Sequence, residues 1–574
     1  MPNDPAPTDQ IATSWGLAAR IGLFAGPMVA ALVYLALPDG QDLLSHAGKA
    51  TAAIGMLMAI WWMTEAVPLE ATSLLPLVLL PLLGVYTDYA QVGDRVRIKG
   101  PGGLAGKVVA IEELNGSKAA TIEFASPSAK PTQAYPLDKL EKEAAFQRAA
   151  TPYANASIFL FLGGFLIALA VERWGLHRRV ALLTVLAVGT HPARIVGGFM
   201  LATAFISMWI SNTATTLMML PIGLSVVKLL GKQLGNSLSA TTDDGDASSS
   251  PASREFATSL MLGIAYAASI GGLGTLIGTP PNVFFAGYMK QQGLEIGFGS
   301  WMLFAVPFLV VYLAICWWLL TKLLFPIPSV AMPGGRAVIR AQLTQLGPVS
   351  RGEWIVLVVF LCTATAWIAR EPLLDWPWLV ERLPVLLSVD DAWIAMFGAV
   401  ALFLIPVYPQ RGIFALDWQA ASKLPWGVLL LFGGGLSLAA AMTDSNLAKW
   451  IGEQMHGLKH VPAPVLMVIV VAGVILFSEL ASNLATAATL LPLLFEVARG
   501  MDVDPLLLTI PAILAASCGF MLPVATPPNA IAFGTGYISM RQMVRAGFWL
   551  DLVAVGLIPL AVYALGGWAL GIRW

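Results

Sequence analysis

Apolar runs of membrane length recur along the chain, set apart by short polar breaks. A spanning helix needs about 20 mostly apolar residues. That length predicts spans at 17–37, 48–65, 69–86, 155–173, 257–277, 301–325, 353–370, 391–407, 426–442, 505–523 and 545–569. Two further stretches, 193–228 and 462–498, are long enough to enter a bilayer and turn back. Each carries a polar motif near its middle, Ser211-Asn212-Thr213-Ala214-Thr215 in one and Ser482-Asn483-Leu484-Ala485-Thr486 in the other. A polar group without a partner in hydrocarbon is strongly disfavoured, so short uncharged polar tips at that depth point to a cavity or an ion. Asn tolerates left-handed backbone, and Ser and Asn side chains bond the backbone groups that a turn frees, so both stretches read as re-entrant hairpins. The expected fold is an all-α polytopic membrane protein of about eleven transmembrane helices with two such hairpins.

The hairpins belong to a repeat. Gly163-Gly164 matches Gly433-Gly434 at an offset of 270, and the Ser-Asn pairs match at 271, as do Ser207 and Ser478 upstream of them. Gly278-Thr279-Pro280-Pro281-Asn282 matches Ala525-Thr526-Pro527-Pro528-Asn529 at 247. The 24-residue polar segment Gly231 to Arg254 in the first half accounts for the change of offset. One unit of roughly 200 residues is used twice, a pattern found in secondary transporters. An odd number of crossings separates the copies, so they are expected to be inverted repeats.

The Thr-Pro-Pro-Asn motifs extend the reading. Paired prolines lack amide hydrogens and push the preceding residue out of helical geometry, so each should break its helix inside the membrane. Carbonyls exposed by such breaks, with nearby hydroxyls, suit a hard cation such as sodium, while half-helix N-termini favour anions.

Residues 88–148 depart from the pattern. DRVRI, GKVVAIEEL and AATIEF alternate or cluster β-branched residues around Gly100-Pro101-Gly102-Gly103 and Asn115-Gly116, which predicts a small inserted β module. Its nine basic and eight acidic residues leave no strong electrostatic footprint, and it reads as a spacer or interaction module, with a ligand sensor as the other reading. The resulting organisation is scaffold helices over 1–87, the β module over 88–148, a first transport region over 149–300, scaffold helices over 301–425, and a second transport region with the last helix over 426–574. The first transport region holds a helix, the hairpin 193–228 and a helix broken at 278–282; the second holds a helix, the hairpin 462–498 and a break at 525–529.

Composition agrees with the class. Apolar residues make up 57% of the chain and charged residues 12%, about half the share usual in a soluble domain. A net charge of -1 implies neither nucleic acid nor an anionic surface as partner. Cys316, Cys362 and Cys518 lie far apart in apolar segments and read as core residues, with neither a metal site nor a disulfide framework expected. The N-terminus is polar to about Trp15 and shows no removable signal peptide. Loop charge places the N-terminus in the cytoplasm, through Arg173, Arg178, Arg179 and Arg194, then Arg336, Arg340 and Arg351, then Arg411 with Lys423, and Arg541 with Arg545. Lys449, Lys459 and Arg573 run against that bias.

With the paired Ser-Asn-Xaa-Ala-Thr and Thr-Pro-Pro-Asn motifs preceded by WWMTEAVPLEATSLLP at 61–76, the chain resembles the divalent anion:sodium symporter family of dicarboxylate, citrate and sulfate transporters. The resemblance runs over nearly the whole chain outside 88–148 and Gly231 to Arg254. It implies a homodimeric, elevator-type symporter in the plasma (inner) membrane that co-transports sodium with a small divalent anion, most simply a C4 dicarboxylate such as succinate. A first sodium site would use Ser207, Ser211, Asn212 and the carbonyl of Gly278, and a second Ser478, Ala481, Asn483 and Ala525. Substrate carboxylates would meet Asn212, Thr213, Ser482 and Asn483, with Thr279, Thr526 and Pro527 nearby. Two sodium ions would offset a dianion's charge, so no buried Arg or Lys is needed. Leu484 departs from the family pattern, which often has Thr there; either one hydroxyl to the anion is missing or Leu484 packs while backbone amides bind. Competing readings are a citrate or sulfate symporter, a proton-coupled carrier, a dicarboxylate exchanger, and a membrane sensor using the β module. No nucleophile–base constellation, metal-spaced His/Cys cluster or phosphate loop argues for an enzyme.

Overall fold

A computed structural model of the chain describes residues 17–38, 44–86, 95–98, 105–114, 117–124, 132–136, 140–141, 144–188, 191–238, 251–327, 335–454, 457 and 461–573. The chain divides into two compact units, Met1–Ala149 with Ala441–Leu447, and Ala150–Ala440 with Ala448–Trp574.

The first unit opens with Leu17–Ala36 packed on His46–Thr64. Ser45 caps the second of these helices, its side chain accepting from Gly48 N at 3.2 Å. Leu17, Phe24 and Leu35 are each about three-quarters exposed, an arrangement stable against hydrocarbon and costly against water. The expected span 69–86 is two helices, Leu69–Thr72 and Leu75–Leu82, with the break at Ser73-Leu74. The β insert is present as an antiparallel sheet of β1 (Arg95–Ile98), β2 (Ala105–Leu114), β3 (Ser117–Phe124), β4 (Thr132–Pro136) and β5 (Leu140–Glu141) in the order β4-β3-β2-β1-β5. A bulge between Val108 and Ala110 shifts the register of β2 on β3, and Val108 and Ile122, paired across these strands, are both buried. The expected turns at Gly100–Gly103 and Asn115-Gly116 lie outside the described residues.

Among its described residues the second unit has one short two-stranded ribbon, Pro406–Tyr408 with Ile413–Phe414, and is otherwise built of helices and their connections. Its long helices begin where the sequence supplies caps. Ser350 with Glu353 and Ser539 with Gln542 form capping boxes at the heads of Arg351–Leu374 and Met540–Leu570, and Asn155 caps Ala156–Arg173. Among the described residues six helices are long and apolar enough to cross a membrane, at Leu17–Ala36, Ala145–Arg173, Phe298–Leu324, Arg351–Leu374, Trp426–Asp444 and Met540–Leu570. Of the other expected spans, 48–65 and 257–277 appear as the uninterrupted helices His46–Thr64 and Pro251–Gly272, and 69–86, 391–407 and 505–523 as shorter or interrupted helices. Within 505–523, for example, the helix is Leu506–Ala516 and the chain is then irregular up to Thr526.

Several further helices fall where none was expected, among them Leu176–Val188 in the stretch read as a charged loop, Gly335–Gln345 and Leu447–Gln454. On the far side of each expected break a helix opens with the proline pair itself, Pro280–Gln291 and Pro527–Phe533. Proline at the first helical position has a preset φ and lacks only an amide that would be orphaned anyway, so each pair starts a helix, while the preceding helices end earlier, at Gly272 and Ala516. The polar segment Gly231 to Arg254 is helical at its ends, since Asn212–Leu238 runs into it and Pro251–Gly272 begins within it; residues 239–250 lie outside the described set.

Candidate functional site

Each Ser-Asn motif sits where one helix stops and the next begins. Pro192–Ser207 is followed by a turn at 208–211 and by Asn212–Leu238; Ala463–Ser478 is followed by 479–482 and by Asn483–Gly500. At the first junction Ser207 Oγ lies 2.7 Å from Asn212 Oδ1 and 2.7 Å from the Ala268 carbonyl. At the second, Ser478 Oγ lies 2.9 Å from Asn483 Oδ1 and 2.6 Å from the Ala516 carbonyl. A hydroxyl has a single hydrogen to give. At both junctions that hydrogen faces two acceptors, so each is a locus with more oxygen lone pairs than donors, the chemistry that suits a hard cation.

The Thr-Pro-Pro-Asn breaks supply the other side of each locus. Thr279 and Thr526 precede their prolines in extended backbone, with φ of −141° and −143°. Asn282 Nδ2 donates to the carbonyls of Gly272 at 3.3 Å, Leu273 at 3.3 Å and Thr275 at 2.8 Å, and Asn529 Nδ2 to those of Gly519 and Leu522 at 3.1 Å each. Gly272 and Gly519, like Thr275 and Leu522, stand 247 positions apart, so the repeat extends to individual bonds. The amide oxygens of Asn282 and Asn529 are buried without a donor, as are the hydroxyls of Thr215 and Thr486.

The first cluster closes around a glycine. A Cβ on Gly272 would stand 2.5 Å from Asn212 Oδ1 and 3.1 Å from the Gly278 carbonyl, so these two oxygens converge over a position that only hydrogen leaves open. Thr275 Oγ1 donates to the Met208 carbonyl and accepts from Gly278 N at 3.0 Å, fixing the loop to the hairpin turn. Ser207, Asn212 and Gly278 are thereby brought together, and Ser211 lies in the same turn with its Oγ accepting from Ala214 N at 3.3 Å. In the second cluster Ser478 bonds Asn483, and a Cβ on Gly519 would stand 3.1 Å from Ala525 Cβ and 3.5 Å from the Ser478 carbonyl. Ala481 is buried in the turn between them. Glu479, buried at 3% exposure, takes the stitching role that Met208 has in the first copy; its carboxylate accepts from Met521 N at 2.8 Å and Leu522 N at 3.0 Å.

The anion-facing candidates are gathered by packing. Pro280–Gln291 of the first half packs on Asn483–Gly500 of the second, and Pro527–Phe533 packs on Asn212–Leu238. Tyr288 meets Phe495 edge-on across the first of these contacts, with ring centroids 5.5 Å apart. This places Thr213 and Asn483 in the opening turns of two helices, where free amides favour negative charge, with Ser482 at the N-cap position of the second, its side chain making no capping bond. Thr279 is buried, Thr526 Oγ1 accepts from Asn529 N at 3.4 Å, and Pro527 is exposed. Among the described residues no hydrogen bond joins Thr213, Ser482, Thr279 or Thr526 to another of these four. Leu484 is 6% exposed and packs in the protein interior. Gly272, Thr275, Asn282 and Asn529 were not singled out from the sequence, although the Asn of each Thr-Pro-Pro-Asn copy was visible as a repeated polar residue. No group of three or more His, Cys, Asp or Glu side chains that could hold a metal ion occurs among the described residues; both clusters are built of hydroxyl, amide and carbonyl oxygen instead.

The chain is similar to known proteins over nearly its whole length. A family model described as the sodium:sulfate symporter transmembrane region matches residues 19–571. A sodium-dependent dicarboxylate transporter, SdcS, of Staphylococcus saprophyticus is 40% identical over 562 residues, covering 97% of this chain and 93% of that protein. SdcS of Staphylococcus aureus is 39% identical over 555 residues, covering 96% and 92%. Among solved structures, the Alcanivorax borkumensis YdaH transporter aligns with a TM-score of 0.50 at 14% identity, over 90% of this chain and 99% of that one. The Neisseria gonorrhoeae efflux pump MtrF aligns with a TM-score of 0.50 at 13% identity, over 89% and 98%, and both likenesses concern the fold alone. With its paired oxygen clusters and a match over nearly its full length, the chain belongs to the sodium:sulfate symporter family, the divalent anion:sodium symporters, a family of integral membrane transporters and not of enzymes.

Proposed function

We propose that this protein is a sodium-coupled symporter of a dicarboxylate, with succinate-like C4 dianions as cargo. The observation that carries the reading is the doubled cluster, in which Ser207, Asn212 and Gly278 in one half and Ser478, Asn483 and Ala525 in the other surround loci rich in acceptors. Two cations held there offset a dianion lodged between the amides that open Asn212–Leu238 and Asn483–Gly500. Thr213, Ser482, Thr279, Thr526 and Pro527 complete the anion's surroundings, and the names of the staphylococcal relatives support a dicarboxylate. In this reading the hairpins are re-entrant, the halves are inverted, the N-terminus is cytoplasmic in the plasma membrane, and the transport regions of a homodimer move as elevators against the scaffold.

The test is reconstitution. Purified protein in liposomes should accumulate labelled succinate under an inward sodium gradient, and Asn212→Ala and Asn483→Ala should each abolish this. Uptake indifferent to sodium overturns the coupling. Because the family description names sulfate, sulfate and citrate belong in the same assay; sodium-driven uptake of either in preference to succinate reassigns the cargo. Stimulation by internal dicarboxylate with no sodium present would mark an exchanger.

A further inference from the structure

An apolar cavity of about 210 Å³ lies behind the first hairpin turn, within the second unit. One wall is made by Ile206, Trp209 and Ile210 of the turn region and by Ile277. The facing wall comes from Ala156–Arg173, through Ala168 and its neighbours, and from Arg351–Leu374. Trp209 meets Phe360 of that facing wall edge-on, with ring centroids 5.0 Å apart. His177, whose Nδ1 bonds the Val171 carbonyl at 3.1 Å, is the one ionisable side chain of the lining, and no Asp, Glu, Lys or Arg lines the space. Apolar cavities of this order stay free of ordered water and take up hydrocarbon-like ligands, since water needs two to four polar partners to remain. The cavity is not sealed within the protein. Phe205 and Leu361 belong to its lining and are 47% and 52% exposed, and Leu361 stands on one of the helices of membrane length. In a bilayer the medium at such an apolar rim is lipid hydrocarbon.

We propose that this cavity is a binding site for one acyl chain of a bilayer phospholipid, which enters past Phe205 and Leu361 and packs against the back of the first hairpin turn. The site's address gives it a consequence. Ile206 directly precedes Ser207, Trp209 and Ile210 fill the turn up to Ser211, and Ile277 directly precedes Gly278, so every residue of this wall lies within two positions of a residue of the first oxygen cluster. A chain seated there holds the turn in place, and by linkage its occupancy and the cluster's affinity for sodium raise one another. That coupling rests on the proposed sodium symport; the binding itself does not.

The experiment uses phosphatidylcholine with a diazirine near the end of one acyl chain, mixed into liposomes holding the full-length protein. After irradiation, adducts are mapped by mass spectrometry. Adducts concentrated on 205–210 and 357–361 are expected, severalfold reduced in Ala168→Trp, which fills the space from within, and in Leu361→Trp, which plugs the exposed rim. Adducts spread over outward-facing side chains, equal in wild type and in a Leu361→Trp variant that elutes as a monodisperse species, overturn the proposal. Labelling of the wall by a diazirine fatty acid and not by the phospholipid overturns the lipid assignment. Because the readout needs no transport, its failure is distinguishable from failure of the symport reading.

Discussion

Gly272→Ala is the sharpest perturbation of the first oxygen cluster. The added methyl would stand 2.5 Å from Asn212 Oδ1, against the 3.4 Å or more of ordinary contact, so the amide must retreat by about 0.9 Å. The Gly278 carbonyl, at 3.1 Å, is crowded as well. Both are proposed sodium ligands, and the methyl occupies the space over which they converge. Losing one charge-assisted contact amounts to about 1.5–3 kcal/mol, which at about 1.4 kcal/mol per decade raises the half-saturating sodium concentration roughly 10- to 150-fold. The assay is initial succinate uptake into proteoliposomes against external sodium, with thermal unfolding in sodium-free buffer as the control for general damage. Gly519→Ala, at the matching position of the second half, meets nothing closer than 3.1 Å and should shift the sodium curve far less. A Gly272→Ala protein that folds and keeps the wild-type sodium curve would refute the placement of a cation between Asn212 and Gly278.

Other consequences are open to direct measurement. Leu484→Thr should leave the apparent KM for succinate nearly unchanged, because the side chain at 484 faces the interior, and should lower thermal stability by about 1–2 kcal/mol through lost apolar burial; Thr213→Leu should raise the KM much more. Arg179 and Glu353 form an ion pair at 2.7 Å with side chains only 12% and 7% exposed, so Arg179→Ala should destabilise by about 3–5 kcal/mol in denaturation, and a loss below 1 kcal/mol would show the pair to be solvated. Replacing residues 90–145 by a short flexible linker should preserve sodium-driven uptake; loss of uptake from a folded variant would give the β sheet a part in transport.

Much of the site was legible because polar residues inside apolar stretches are conspicuous. Ser207, Ser211, Asn212 and their partners at 478–483 stood out on that ground, and the offset of 271 paired them before any contact was known. The β strands were legible from their alternation. Leu176–Val188 was hidden because it opens with His177, Arg178 and Arg179, charge that reads as loop until the helix is seen to carry Ala181, Leu182 and Val185 inward. The breaks at the Thr-Pro-Pro-Asn motifs were legible, but that each proline pair itself opens a helix, at Pro280 and Pro527, was not, because proline is read first as a breaker and only second as a starter. Gly272 was hidden for a different reason. A glycine required by the approach of a side chain 60 residues away leaves no local signature, since its neighbours in sequence are not its neighbours in space.

The reciprocal packing of Pro280–Gln291 on Asn483–Gly500 and of Pro527–Phe533 on Asn212–Leu238 resembles clasped hands. Each duplicate keeps its own hairpin yet lends a short helix to the other, so neither half presents a finished surface alone. A chain severed in the connection between the halves should regain function only when both fragments are made together. Under the proposed symport, the same interlock would tie the two cation positions to a single displacement, so that a whole-number ratio of ions to anion would follow from the architecture and neither half-site would cross the membrane while the other stayed behind.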